Sequence, residues 1–307
     1  MKARLIVVAS ALLRVVPGAL ASRVAGAIGS ACWLLLRSRR LTVLENLRHT
    51  APNASSHERC RLAHATFRQF ALCTLDLLRA PHLTPQDLES MVEIRGREHL
   101  EAALVSGRGA LIAAPHLGAI ELGGRLLTAL GYDVAGYAED AADPRLRDVY
   151  RRYRSVAGVR VLPLGGGALP GMRWLRRGGL LVLFGDRAIG TRAHLVRFCG
   201  GLRPVPAGVA VLARLTGAPV LLSCLVRQYG TAKPYLCTFE GPLELHPDDR
   251  SEWEATQVVA DGLSTLVRRH PDQWFVFQPA WQPEAEGARD GATRRSRRSP
   301  PDGRAAS

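Results

Sequence analysis

Residues Leu111 to Leu122 read LIAAPHLGAIEL. A short run of small and aliphatic residues up to Pro115 has the pattern of a buried strand, and IELGGRLLTAL, from about Gly118, repeats its apolar residues at helical spacing. His116 therefore falls on the connecting loop and Glu121 in the first turns of a helix. Two residues five apart on one helix diverge by about 140°, so the pair can meet only if His116 precedes the helix. A carboxylate so placed fixes the tautomer of an imidazole and leaves the other ring nitrogen as a base. The adjoining helix N-terminus favours developing negative charge. A capping histidine followed by an exposed first-turn acid would show the same spacing.

Working outward, strand and helix patterns alternate. MVEIRG reads as a strand and REHLEAALVSG as a helix closed by Gly107. After the His116 helix come a strand over Tyr132 to Ala138, a helix over Asp143 to Ser155 and a strand over Val159 to Leu164. A helix over Leu169 to Arg177 leads to the fully apolar strand Gly179 to Asp186. Further on, Ala207 to Thr216 and Glu252 to Arg269 read as helices, and Pro219 to Arg227 and Tyr235 to Phe239 as strands. This rhythm predicts an α/β fold with a central, mostly parallel sheet covered by helices on both faces. Ligands gather at the carboxyl ends of the strands of such sheets, where His116 and Asp186 both fall. The segment Arg187 to Pro206, rich in Gly, Pro and Arg, is expected to be irregular and to carry ligand contacts. Gly165-Gly166-Gly167 lacks the lysine or the glycine spacing of a phosphate loop and reads as a flexible connection.

The chain has 307 residues, 47% of them hydrophobic, enough for one large α/β domain. Its net charge is +14, and all but two of its 41 cationic residues are arginine. Half of that charge lies in the first sixth, where eight cations up to Arg48 face Glu45 alone. The same region is the most apolar of the chain, which argues for a membrane surface as partner and against nucleic acid. Arg14, Pro17 and Arg23 divide its apolar run, so residues 1–40 read as an interfacial anchor, an apolar helical segment that associates with the membrane without cleanly crossing it. A cleaved secretory signal ending at Ala19-Leu20-Ala21 is the rival reading. The six cysteines form no C-x-x-C pair, so neither a disulfide framework nor a metal site is expected. A cytoplasmic-facing body, residues 41–283, fits that usage, and residues 284–307 read as a disordered Arg-rich tail. From Leu41 to His82 the apolar residues recur at helical spacing, and His49, His57, His64 and His82 read as surface or packing residues.

Taken together, LENLRHTAPNAS, APHLGAIELGG, GVRVLPLGGG, FGDRAIG, RFCGGLRPVPAGVAVLARLTGAPV and HPDQWFVFQPAW resemble the bacterial family of lipid A secondary and phosphatidylinositol mannoside acyltransferases. The resemblance runs from about Arg40 to Trp281. It implies transfer of an acyl group from a thioester, acyl-CoA or acyl carrier protein, to a glycolipid hydroxyl at the cytoplasmic face of the bacterial inner membrane. His116 matches the motif's histidine and Glu121 its acidic partner, in an HX4E arrangement, with no metal and no further cofactor. It also implies that Glu139 and Arg154 pair beside this dyad to support a substrate site, with Asp186-Arg187 close by and Asp186 anchoring the loop behind it. Glu139, Arg154, Asp186-Arg187 and the QPAW ending lean towards the mannoside branch, whereas Glu121 stands where that branch generally has aspartate. Both acceptor types are left open.

A hydroxyl attacking a thioester must lose its proton, so a positioned imidazole with a carboxylate behind it is the minimum equipment. Because a thiolate leaves readily, no covalent acyl-enzyme is needed. Cys199 is the nearest candidate for one. The same dyad acting on water would make a thioester hydrolase, and an inactive lipid-binding protein would survive loss of His116.

Overall fold

The computed structural model describes residues 10, 13, 15–138, 157–163, 166–188, 192–245 and 251–282. Glu139, Arg154, the helix expected over residues 143–155 and the tail expected over residues 284–307 lie outside them.

At the centre lies a strand whose five residues are all buried, β2 (Ala110–Ala114). It belongs to a seven-stranded sheet with β1 (Val92–Arg95), β3 (Val134–Ala138), β4 (Arg160–Pro163), β5 (Leu180–Phe184), β8 (Val220–Arg227) and β9 (Tyr235–Glu240), in the order β1-β9-β8-β2-β5-β3-β4. Every pairing from β8 to β4 is parallel. β9 runs antiparallel to β8, and β1 parallel to β9, so the last two strands are reversed at one edge. Side chains alternate across β2. Leu111 and Ala113 face a core shared with the helices α8 (Gly208–Thr216) and α9 (Glu252–Arg269). Ala110 and Ile112 face a second core, shared with α5 (Arg97–Val105) and α6 (Ile120–Ala129). A strand buried on both faces must be apolar throughout, and β2 is. The short helices α4 (Pro85–Met91) and α7 (Leu169–Leu175) complete the α/β body.

Ahead of the body stand α1 (Gly18–Leu35), α2 (Arg37–Thr50) and α3 (Ser56–Arg79). The boundary expected at residue 40 thus falls within a helix. α3 opens with a capping box, the Ser55 hydroxyl accepting from the Glu58 amide and the Glu58 carboxylate accepting from the Ser55 amide. α1 lies against α3 through its small residues, burying Ala21, Ala25 and Gly29. The approach is close enough to require glycine: a Cβ on Gly29 would stand 2.6 Å from the Arg68 Cα.

One expectation fails. Within Arg187 to Pro206, β6 (Ala193–Phe198) and β7 (Gly201–Pro206) form an antiparallel hairpin. Cys199 and Gly200, both at positive φ, make its two-residue turn, the backbone that matches the twist of a two-stranded ribbon. Pro204 and Pro206 concealed it. Each strand of this ribbon has a single partner strand, so a missing N–H is tolerated. Arg203 on the buried face of β7 further obscured the alternation.

Candidate active site

β2 and β5 are neighbours in register, Ala114 opposite Phe184. Their carboxyl ends therefore bring Pro115-His116 beside Gly185-Asp186. After His116 the chain must turn sharply into α6, and it does so at Gly118. There φ is +68°, and a Cβ would meet the Leu225 carbonyl oxygen at 2.1 Å. His116 thus sits on the loop and Glu121 in the first turn of α6, as the spacing predicted.

The carboxylate behind the imidazole is Asp186. His116 Nδ1 lies 2.6 Å from Asp186 Oδ1, and the His116 amide donates to Oδ2 at 3.0 Å. Trp274 Nε1 donates to the same Oδ2 at 2.8 Å. Glu121, expected behind the imidazole, stands in the first turn of α6 and lines the same pocket, while the contact to Nδ1 is made by Asp186. The reason is strand order: β5 lies next to β2 although Asp186 is 70 residues from His116. Glu121, half-buried, lines the pocket that contains His116 and also a second, apolar cavity below α6. Arg187 is exposed beside the pair.

Asp186 is completely buried. Burial by itself would push its carboxyl upward, but the His116 charge and hydrogen bond, the Arg203 charge and the Trp274 bond outweigh it and hold the group down at about 2. For His116, burial pulls downward, and the Asp186 charge and hydrogen bond more than compensate, so the imidazole is raised above its ordinary value. An Nδ1–H donated to Asp186 selects the tautomer in which Nε2 carries the lone pair. The ring is also steadied by Phe184, its centroid 4.7 Å away.

Trp274, Asn46 and Arg203 escaped sequence reading. Trp274 sits in the QWFVFQPAW segment, which crosses the strand ends beside the loop. Gly118 donates to the Gln273 carbonyl, and the Phe275 amide to that of His116. Asn46 of α2 fastens the same segment by donating to the carbonyls of Val276 and Gln278, at 2.8 and 3.1 Å. Arg203 is 4% exposed, with its guanidinium over the rings of Trp274 and Phe198 at 5.1 and 5.5 Å. Its Nη1 meets no hydrogen-bond partner among the described residues. A single tryptophan or arginine has no local pattern that announces such a role. Cys199 lies buried in the hairpin turn, and burial pushes its thiol up to about 11, which is unsuited to a nucleophile.

The second cavity lies between the sheet and α6. Ile112, Val182 and Phe184 of the strands and Leu127 of the helix are in its wall. Gly123 and Gly124 add no side chains to the helix side of it, which leaves room between Glu121 and Leu127. Glu121 and Ile120 belong to this cavity and to the His116 pocket alike, so the two meet there. Among the described residues no group of three or more His, Cys, Asp or Glu side chains is placed to hold a metal. The arrangement suits removal of a proton from a hydroxyl next to an apolar chain.

Comparison with known proteins gives the family. The family described as bacterial lipid A biosynthesis acyltransferase matches residues 2–283. A phosphatidylinositol mannoside acyltransferase of Mycobacterium tuberculosis (strain ATCC 25618 / H37Rv) is 31% identical over 219 residues, 67% of this chain and 66% of its own. The protein of that name from Mycolicibacterium smegmatis is 28% identical over 234 residues, 72% of each chain. A lipid A biosynthesis acyltransferase of Haemophilus influenzae is 22% identical over 269 residues, 86% of this chain and 82% of its own. The chain spans just under two thirds of the length of the first of these relatives.

Proposed function

We propose, from the premise that the chain belongs to the bacterial lipid A biosynthesis acyltransferase family, that it moves a fatty acyl group from a thioester to a hydroxyl of a membrane glycolipid. The observation that carries this reading is the His116–Asp186 pair at the carboxyl end of the central strand, next to an apolar cavity. The acyl chain occupies that cavity and brings the thioester carbonyl to the loop. As the acceptor hydroxyl attacks the carbonyl carbon, His116 Nε2 takes its proton, and buried Asp186 stabilises the imidazolium. The tetrahedral intermediate collapses with rupture of the C–S bond, and the thiolate leaves with the proton from the imidazolium. The N-terminus of α6 favours the oxyanion. Glu121, at the junction of pocket and cavity, orders the acceptor hydroxyl, and Arg187 contributes positive charge at the rim. Glu139 and Arg154, to which the family resemblance gives a supporting role, lie outside the described residues.

The donor is acyl-CoA or an acyl carrier protein. Higher identity to the mannoside enzymes than to the lipid A enzyme supports an acceptor of the phosphatidylinositol mannoside type. α1 is long and apolar enough to cross a bilayer by length and composition, with a mean hydropathy of 1.3. Its packing along α3, which carries Arg59, Arg61 and Arg68, supports an interfacial anchor, and the basic charge of the first 48 residues supports an anionic, cytoplasmic leaflet as its partner.

The test is transfer of a radiolabelled acyl chain from acyl-CoA to phosphatidylinositol mannoside in vesicles. Acylated lipid made by wild type and not by His116→Ala is the expected result. Release of free fatty acid at the same rate without acceptor would mark a hydrolase and overturn the reading.

A further inference from the structure

A second apolar feature lies outside the α/β body. Between α1 and α3 runs an open groove of about 820 Å³, within the size range of ligand sites. Its floor is the stripe Phe67, Ala71, Leu75 and Leu78 of α3, spaced three or four residues apart, and its lip is Val24 and Ile28 of α1. Val24 and Ile28 are each about half exposed (51% and 55%) and, with Leu20 at 52%, line one side of α1 as an apolar stripe.

The groove leads to the base. Phe70 and Thr74 line both it and the His116 pocket. Edge-on rings mark the path, from Phe67 to Phe277 at 5.1 Å, Phe277 to Phe70 at 5.1 Å and Phe70 to Phe275 at 5.4 Å. Phe275 in turn donates its amide to the His116 carbonyl. Guanidinium groups stand along the groove and α1. Arg39 lines one end and donates to the Phe277 carbonyl at 2.7 Å, while Arg68 and Arg79 approach α1 beside Gly26 and Gly18. An apolar channel edged by cations complements a molecule with a hydrocarbon tail and an anionic headgroup.

We infer that this groove binds one acyl tail of the acceptor phospholipid, so that the acceptor slides from the bilayer along α3 until its headgroup hydroxyl reaches His116. The inference rests on the acyltransferase reading, which already gives the donor chain the cavity below α6. Two apolar passages that each border the His116 pocket, the groove at Phe70 and Thr74 and the cavity at Ile120 and Glu121, are what joining an acyl chain to a lipid requires. Because the tail passes from one apolar surrounding to another, the groove guides the acceptor by its shape and by its path to the base. An interface that merely floats on lipid needs no concave passage leading to the base.

The experiment uses the full chain on vesicles of phosphatidylethanolamine and phosphatidylglycerol containing phosphatidylinositol with a diazirine midway along one tail. On photolysis, label is expected on the inner wall, at Ala71, Thr74 or Leu75. Ala71→Trp, which fills the groove, should reduce that label at least tenfold. Val24→Trp at the exposed lip, where folding is not at risk, should reduce it severalfold with vesicle binding retained. In transfer assays both variants should raise KM for a two-tailed acceptor about tenfold or more while leaving KM for its water-soluble, deacylated headgroup unchanged. Label confined to outward residues such as Leu34 and Leu35, or label indifferent to both tryptophans, overturns the inference. Groove labelling by a protein that transfers no acyl group would defeat the acyltransferase reading and leave the groove standing, whereas transfer without groove labelling does the reverse.

Discussion

The strand ends around His116 and the groove between α1 and α3 are organised in opposite ways. Around His116, Asp186 accepts three hydrogen bonds between 2.6 and 3.0 Å, and every partner is fixed in direction. Along α1, contact is apolar and non-directional, with small residues turned inward and Leu20, Val24 and Ile28 left to a softer surrounding. A chemical site requires geometry held to fractions of an ångström, and burial of hydrocarbon tolerates sliding. Substitutions in the two regions should therefore differ in kind. At the strand ends they should change kcat with little change in membrane affinity, whereas polar substitutions on the exposed face of α1 should change membrane affinity with little change in kcat.

The sharpest break comes from His116→Ala. Loss of the base should lower kcat by about 10³ or more, with vesicle binding within twofold of wild type. A variant that keeps full transfer rate would remove the strand ends from the chemistry.

Next comes Asp186→Asn, expected to lower kcat by about 10² or more and to exceed the loss from Glu121→Gln, because Asp186 orients Nδ1. A larger loss from Glu121→Gln would assign the orienting role to Glu121 instead. The pH profile sharpens this. The base must be neutral, so the wild-type rate climbs as pH passes the raised His116 value. Removing the Asp186 charge should shift that limb to lower pH. Stability follows the same pair. Asp186, depressed to about 2, stabilises the fold above its unfolded value near 3.9 and loses that contribution as pH falls through about 2. His116, raised, contributes below its unfolded value near 6.5 and loses its contribution as pH rises through the folded one. The Tm advantage of wild type over Asp186→Asn should thus be greatest between about pH 4 and 6.5.

On the apolar side, Leu20→Ser with Ile28→Ser should weaken vesicle partitioning by about 2 kcal/mol, roughly 30-fold, read by flotation. Tm and turnover of a soluble acceptor should stay the same. Smallest in its effect on chemistry is Asn46→Ala, which leaves the Val276 and Gln278 carbonyls without their donor and should cost about 1–3 kcal/mol of stability. A drop in Tm with kcat nearly unchanged would show that the 273–278 segment is clamped by more than Asn46.

Much of this was legible in the chain because the signals are local. The apolar run into Pro115 and the 3.6-residue period after Gly118 placed His116 on a loop and Glu121 in a first turn, and GLLVLFGD placed Asp186 at a strand end. Those statements depend only on how residues near in sequence pattern a backbone. The hairpin at residues 193–206 was illegible for the complementary reason: two prolines and a buried arginine break the alternation that identifies strands, and only pairing reveals it. Which carboxylate meets the imidazole is likewise a property of strand order. Local periodicity says that β2 and β5 exist and nothing about their adjacency, so the contact of Asp186 with the imidazole, made across 70 residues, could not be read from it. Trp274, Arg203 and the groove above α3 arise the same way, from segments that meet only when the chain has folded, because burial and hydrogen bonding reward proximity whatever the separation along the chain.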